Sequence, residues 1–118
     1  MNGCQTCQTN VFSIFQGDTG NLPLALIYPS LSPVDLTDCT AITVNLPNAD
    51  GSFLQLTLTS GVTIGEEPIL GQFSVAITSE QSALFMVGES QNIDVTTIIS
   101  GVTRTIRFFN CFSVFQVA

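Results

Sequence analysis

The sequence predicts an all-β fold, an antiparallel β-sandwich of about seven to eight strands with one short helical turn. Three observations lead there. Apolar and β-branched runs of strand length recur along the chain, clusters of Gly, Pro, Asn, Asp and Ser separate them, and no amphipathic helical segment of any length intervenes. At 118 residues the chain fits one domain with one core, read as a sandwich over residues 10–118. Residues 1–9 form a polar arm, expected to be flexible unless a partner orders it.

Strands are predicted near residues 10–16, 22–28, 41–47, 52–59, 70–78, 91–99 and 102–117, the last long enough to bend or split near Asn110. The second run, LPLALIY, is bounded by Gly20 and Pro29, whereas a membrane-spanning helix needs about 18 uninterrupted apolar residues. Asp50-Gly51 between two alternating runs predicts a type I′ hairpin, with positive φ at both central positions. Ser60-Gly61 and Ser100-Gly101 predict further tight turns. The helical turn is expected in TSEQSALF: Thr78 as N-cap, Gln81 reaching back to it, and Ala83, Leu84 and Phe85 as an apolar turn that Gly88 stops. Such strands with one helical turn across an end have an immunoglobulin-like outline, without the Cys-Trp-Cys signature because the chain has no Trp.

Alternation separates two kinds of strand. Ile42, Val44 and Leu46, then Leu54, Leu56 and Leu58, then Phe73, Val75 and Ile77 each alternate with mostly polar neighbours, the pattern of a strand with one buried face. In VFSIF and RFFNCFSVFQVA both faces are apolar. Such a segment is either a central strand covered on both faces or one whose second face meets a neighbouring subunit. The sparse charge favours the second reading, which makes Phe12, Ile14, Phe15, Phe109, Phe112, Phe115 and Val117 the candidate subunit interface.

Only 9% of the residues are charged, against about 25% in typical soluble proteins. The net charge of −7 reflects a lack of cations: Arg104 and Arg107 are the whole basic complement, with no Lys or His. Neither phosphate neutralisation on nucleic acid nor attraction to an anionic membrane is served by such a chain. The two arginines are read as sharing one face of the last strand, in a local ion pair or an interface contact. MNGCQTCQTN has neither a basic n-region nor an apolar h-region, so no signal peptide is expected.

Without histidine, Ser-His-Asp and Cys-His nucleophile arrangements are excluded, as are His-based metal sites. Asp35 with Asp38 and Glu66 with Glu67 sit at turns and element ends, where acids are solvated or cap backbone N–H groups. Asp18-Thr19-Gly20 occurs once, whereas an aspartic protease needs two aspartates sharing a proton, so it is read as a turn. PVDLTD lacks the ligand density of a Ca²⁺ loop. Cys4 and Cys7 form a C-x-x-C pair, but a zinc site wants a second close pair, and Cys39 and Cys111 lie far apart in sequence. The expectation is unpaired thiols at Cys39 and Cys111 and a candidate subunit cross-link through Cys4 and Cys7. No catalytic residue, metal or cofactor is assigned, and the chain is read as non-enzymatic.

A wider pattern joins these turns and strands. The order F-x-G-D-T from Phe15, P-V-D-L-T-D from Pro33, I-T-V from Ile42, D-G at Asp50, and G-x-F-x-V-x-I-T-x-x-Q-S-A-L-F-x-x-G from Gly71 resembles small immunoglobulin-like modules of tailed-bacteriophage virions. It is most similar to the N-terminal domain of baseplate upper proteins and to collar proteins that seat side fibres, over Phe12 to Val95. The resemblance implies a structural role and no catalytic residues: an adaptor or collar subunit of the tail or baseplate, made in the host cytoplasm, incorporated in the virion as a homo-oligomer and touching other virion proteins. Baseplate upper proteins continue into a fibre-holding region that has no counterpart here, and the cysteine arm is also foreign to them. An alternative is a head decoration protein bound to the major capsid protein. A second alternative is a carbohydrate-binding module using Tyr28 and the loop acids, against which stands the aromatic content of nine Phe and one Tyr.

Overall fold

The structure, a computed structural model, describes residues 4–6, 12–27 and 32–116, with backbone alone at 4–6, 90 and 109–111. Nine strands occur among the described residues: β1 Cys4–Thr6, β2 Phe12–Phe15, β3 Gly20–Ala25, β4 Cys39–Pro47, β5 Phe53–Leu58, β6 Gly61–Ile64, β7 Gln72–Ile77, β8 Gly88–Ile99 and β9 Val102–Phe115. Pairing follows β1-β9-β8-β4-β5-β6-β7-β3, with β2 also on β9. The path folds over at β5–β6 into a front layer of β1, β2, β9, β8, β4 and β5 and a back layer of β6, β7 and β3. The layers meet across the core: a Cβ on Gly20 of β3 would lie 3.0 Å from the side chains of Ile14 and Phe12 on β2. The strand order is that of the immunoglobulin sandwich with the extra edge strand of variable-type domains.

Alternation does what periodicity requires. Ile42, Val44 and Leu46 are wholly buried, Phe73, Val75 and Ile77 nearly so, and Ile93, Val95, Ile106 and Phe108 complete the interior from β8 and β9. Most pairs are antiparallel, but β1 and β2 both run parallel to β9, and β5 runs parallel to β6. The latter is a corner rather than a ladder: Thr59, at φ 68°, and Gly61, at φ 103°, lift the chain from one layer to the other. The Ser60-Gly61 turn is thus a crossing between layers, and the arm contributes a strand at Cys4–Thr6 that its sequence did not signal.

Two turns exchange the geometry expected of them. Between β4 and β5, Gly51 N–H donates to Asn48 O at 3.2 Å and Asn48 N–H donates to Ser52 O at 2.9 Å, with positive φ at Gly51 and not at Asp50. That is a three-residue loop with the glycine as bulge, not type I′. Positive φ at two adjacent central residues occurs instead at Ser100 (50°) and Gly101 (80°), which join Ile99 to Val102.

The first four residues of LPLALIY belong to β3. Its strand ends at Ala25, after which Leu26 N–H donates to Gly71 O and Val34 N–H to Leu26 O, both at 2.9 Å. Leu26, Val34 and Leu36 are buried, so the loop plugs one end of the sandwich with its own apolar side chains. At the other end, helix α1 is the single turn Ser79–Ser82; Thr78 and Gln81 form the reciprocal capping box, and the helix ends at Ser82 rather than at Gly88, which opens β8. Among the described residues no helix is long and apolar enough to cross a membrane.

Candidate interaction surface

The pole that carries α1 gathers the β2–β3 turn, the β4–β5 hairpin and the 83–87 segment. Hydrogen bonds tie these three loops into one platform. Ser82 Oγ accepts from Gly17 N–H at 3.0 Å and donates to Asp18 O at 2.6 Å, and Gln16 Nε2 donates to Phe85 O at 2.9 Å. Ala49 N–H donates to Leu84 O at 3.0 Å and Met86 N–H to Pro47 O at 3.2 Å. Gln91, buried at an irregularity in β8, donates through Nε2 to Met86 O and Gly88 O, both at 2.8 Å. Phe85 anchors the platform from below, wholly buried and edge-on to Phe112 at 5.3 Å.

Held on that platform are large apolar side chains that the core does not cover. Leu84 is 64% exposed, Phe53 58%, Phe15 49%, Val87 48% and Met86 42%, which places five of the chain's exposed large hydrophobics at one pole. Phe15 and Phe53 follow strand parity onto the outer face of the front layer, because their neighbours Ile14 and Leu54 turn toward the core. Around the patch stand Asp18, Asp50, Glu80 and Glu89, all exposed. The Asp50 carboxylate accepts from the Ser52 hydroxyl and from Ser52 N–H, which lowers its pKa.

The candidate interface residues fall into three groups. Ile14 and Phe112 are interior, with 5% and 0% exposure, and half-buried Phe12 stacks on Phe112 with centroids 6.1 Å apart and planes within 2°. These three point inward, so the apolar face they form belongs to the protein's own core rather than to a neighbour. Phe15 is exposed and half-buried Phe115 packs against it at 5.8 Å. The Phe109 side chain and Val117 lie outside the described residues, as do Cys7, Tyr28 and the side chains of Cys4 and Cys111. Leu84, Met86 and Val87, in the short apolar run ALFMV after α1, and Phe53, at a strand end, went unmarked because neither place has a period that sorts inward from outward.

Arg104 and Arg107 do not share a face. They are three positions apart, so parity sets them on opposite sides of β9: Arg107 pairs with Asp94 and Arg104 with Thr97 in the ladder. Arg107 Nε donates to Asp94 Oδ1 at 2.7 Å and its Nη2 to Oδ2 at 3.2 Å, a local ion pair on the outer face of the front layer.

No protein-family model matches the chain. No curated protein matches it either.

The remaining candidate chemistry is scattered. Cys39 is a half-buried free thiol that donates to Ala41 O at 3.3 Å, its pKa raised by burial. Asp35 accepts from the Thr37 hydroxyl and N–H, a local turn that lowers its pKa. Among the described residues no group of three or more Cys, Asp or Glu is placed to hold a metal ion.

Proposed function

We propose that this protein is a non-enzymatic structural subunit of a tailed-phage virion, an adaptor or collar piece of the tail or baseplate that docks through its α1 pole. The observation that carries the reading is that Phe15, Phe53, Leu84, Met86 and Val87, five of the nine exposed large hydrophobics among the described residues, lie on or beside hydrogen-bonded loops at one end of the sandwich. Exposed apolar side chains gathered in one place mark a protein contact, and a carboxylate rim suits a partner with basic residues around an apolar centre. The resemblance in turn and strand order to virion modules supports the same reading. Ile14 and Phe112 are used in the protein's own core, so of the described terminal-strand candidates it is Phe15, at the end of β2, that the docking pole includes.

That burial also favours a second reading, head decoration, in which a self-contained sandwich seats on an existing capsid lattice by one end. Mass spectrometry of gradient-purified particles, made in a host that expresses the chain, tests both. Recovery in the particle fraction at a fixed copy number supports a virion subunit, and separate analysis of heads and tails assigns the position. Absence from the particles overturns the proposal.

A further inference from the structure

Two of the strand edges, at β3 and along β5, are treated differently. Edge strand β3 is guarded: its even-numbered residues face β7, as the Leu26 N–H bond to Gly71 O shows, so Asn21, Pro23 and Ala25 face outward and the proline leaves a gap in the donor row. Edge strand β5 carries no such device. Thr57 N–H donates to Ser60 O at 3.1 Å and accepts at its own carbonyl from Ser60 N–H at 2.8 Å, on the side away from β4. Backbone groups of a strand alternate in direction, so the N–H and C=O of Phe53 and Gln55 point to that same side. No described strand pairs with them there, because β6 reaches only Thr57 and Leu58.

We propose that this edge pairs with the same edge of a second copy of the chain, antiparallel and across a two-fold axis. With Phe53 opposite the partner's Gln55 and Gln55 opposite the partner's Phe53, every open N–H meets an open C=O. Four hydrogen bonds form, and no open group on either edge is left over. The length of the edge fits: the next outward residue, Thr57, is already engaged with Ser60. Charge also permits a second copy. Despite the net −7, residues 52–60 contain no Asp or Glu, so the contact brings no like charges together. Because a two-fold between antiparallel strands lies across them, the two α1 poles point to opposite ends of the pair.

Light scattering over a dilution series, on the wild type and on Gln55→Pro, tests this. The proline removes an outward N–H and leaves the ladder to β4 intact. The wild type is expected to form a dimer that dissociates on dilution, and Gln55→Pro to remain a monomer at every concentration. A monomeric wild type, or a Gln55→Pro dimer of unchanged strength, overturns the pairing. Amide hydrogen exchange on the wild type decides the matter without a variant. Phe53 and Gln55 amides should be protected in concentrated solution and exchange freely in dilute solution, while Leu54 and Leu56, which face β4, stay protected in both; equal exchange of Phe53 and Gln55 at the two concentrations overturns the pairing. Neither readout depends on the virion reading, which stands or falls on particle content.

Discussion

Replacing Phe112 by alanine separates the interior reading of the terminal strands from the interface reading. Phe112 is wholly buried between a stacked Phe12 ring at 6.1 Å and an edge-on Phe85 ring at 5.3 Å. Truncating a buried Phe costs about 3–5 kcal/mol, and the two ring contacts place Phe112 toward the upper end of that span. For a domain of this size about 1 kcal/mol moves Tm by about 3–5 °C, so Phe112→Ala is expected to melt roughly 12–25 °C below the wild type. Phe15 supplies the contrast on the same pair of strands. At 49% exposure it keeps half its surface in water, and Phe15→Ala is expected to cost about 1 kcal/mol. Calorimetry in dilute solution, where association contributes least, measures both. A Phe112→Ala variant melting within about 2 °C of the wild type, or a Phe15→Ala variant falling as far as Phe112→Ala, refutes the assignment of Phe112 to the core.

Other perturbations probe the features that shape the two ends. Gly71 has φ 70°, and a Cβ there would lie 2.5 Å from Leu26 O and 2.8 Å from Val34 O, so Gly71→Ala is expected to cost more than about 2 kcal/mol in denaturant unfolding, with the loss concentrated in the 26–36 loop by hydrogen exchange. Thr78→Ala removes one half of the capping box and is expected to cost about 1 kcal/mol, with faster amide exchange at Gln81 as its local mark. The Asp50 carboxylate is held below its ordinary pKa chiefly by the Ser52 hydroxyl, then by Ser52 N–H. A folded-state pKa below the unfolded value gives a contribution that is present above the unfolded value of about 3.9 and fades as pH falls through the lower folded one. The Tm gap between wild type and Asp50→Ala should therefore be open at about pH 6 and narrow below about pH 4.

Much of the front layer was legible because its residues obey a period of two. Ile42 to Leu46 shows this in the front layer and Phe73 to Ile77 shows it in the back layer, and the Thr78-Gln81 capping box is a local motif whose partners lie within one turn. What could not be read depends on contacts distant in sequence. Val11 to Phe15 is apolar on both faces, and period alone does not say which face packs on the protein's own Phe112 beside it and Gly20 across the sandwich and which stays open. The break at Ser60-Gly61 was legible, but strand β6 after it was not, because Gly61–Ile64 is four residues long and too short for alternation to register. The type I′ geometry went to Ser100-Gly101 rather than Asp50-Gly51 because loop length, fixed by the register Pro47 opposite Phe53, selects the turn. Misreading the arginine spacing was avoidable, since positions 104 and 107 differ in parity. Of the interaction surface only Phe15 was marked in advance; the 84–87 side chains gain their meaning from where the loop is held.

Incorporation of a pole variant into particles bears most directly on the docking claim. Leu84→Asp places a charge at the most exposed apolar side chain of the pole, without touching the core beneath it. Particles are purified from a host expressing either the wild type or this variant, with Tm recorded for each protein alone. The docking account predicts unchanged Tm, wild type in the particle fraction and Leu84→Asp left in the soluble fraction. A variant of unchanged Tm that enters particles as well as the wild type contradicts it.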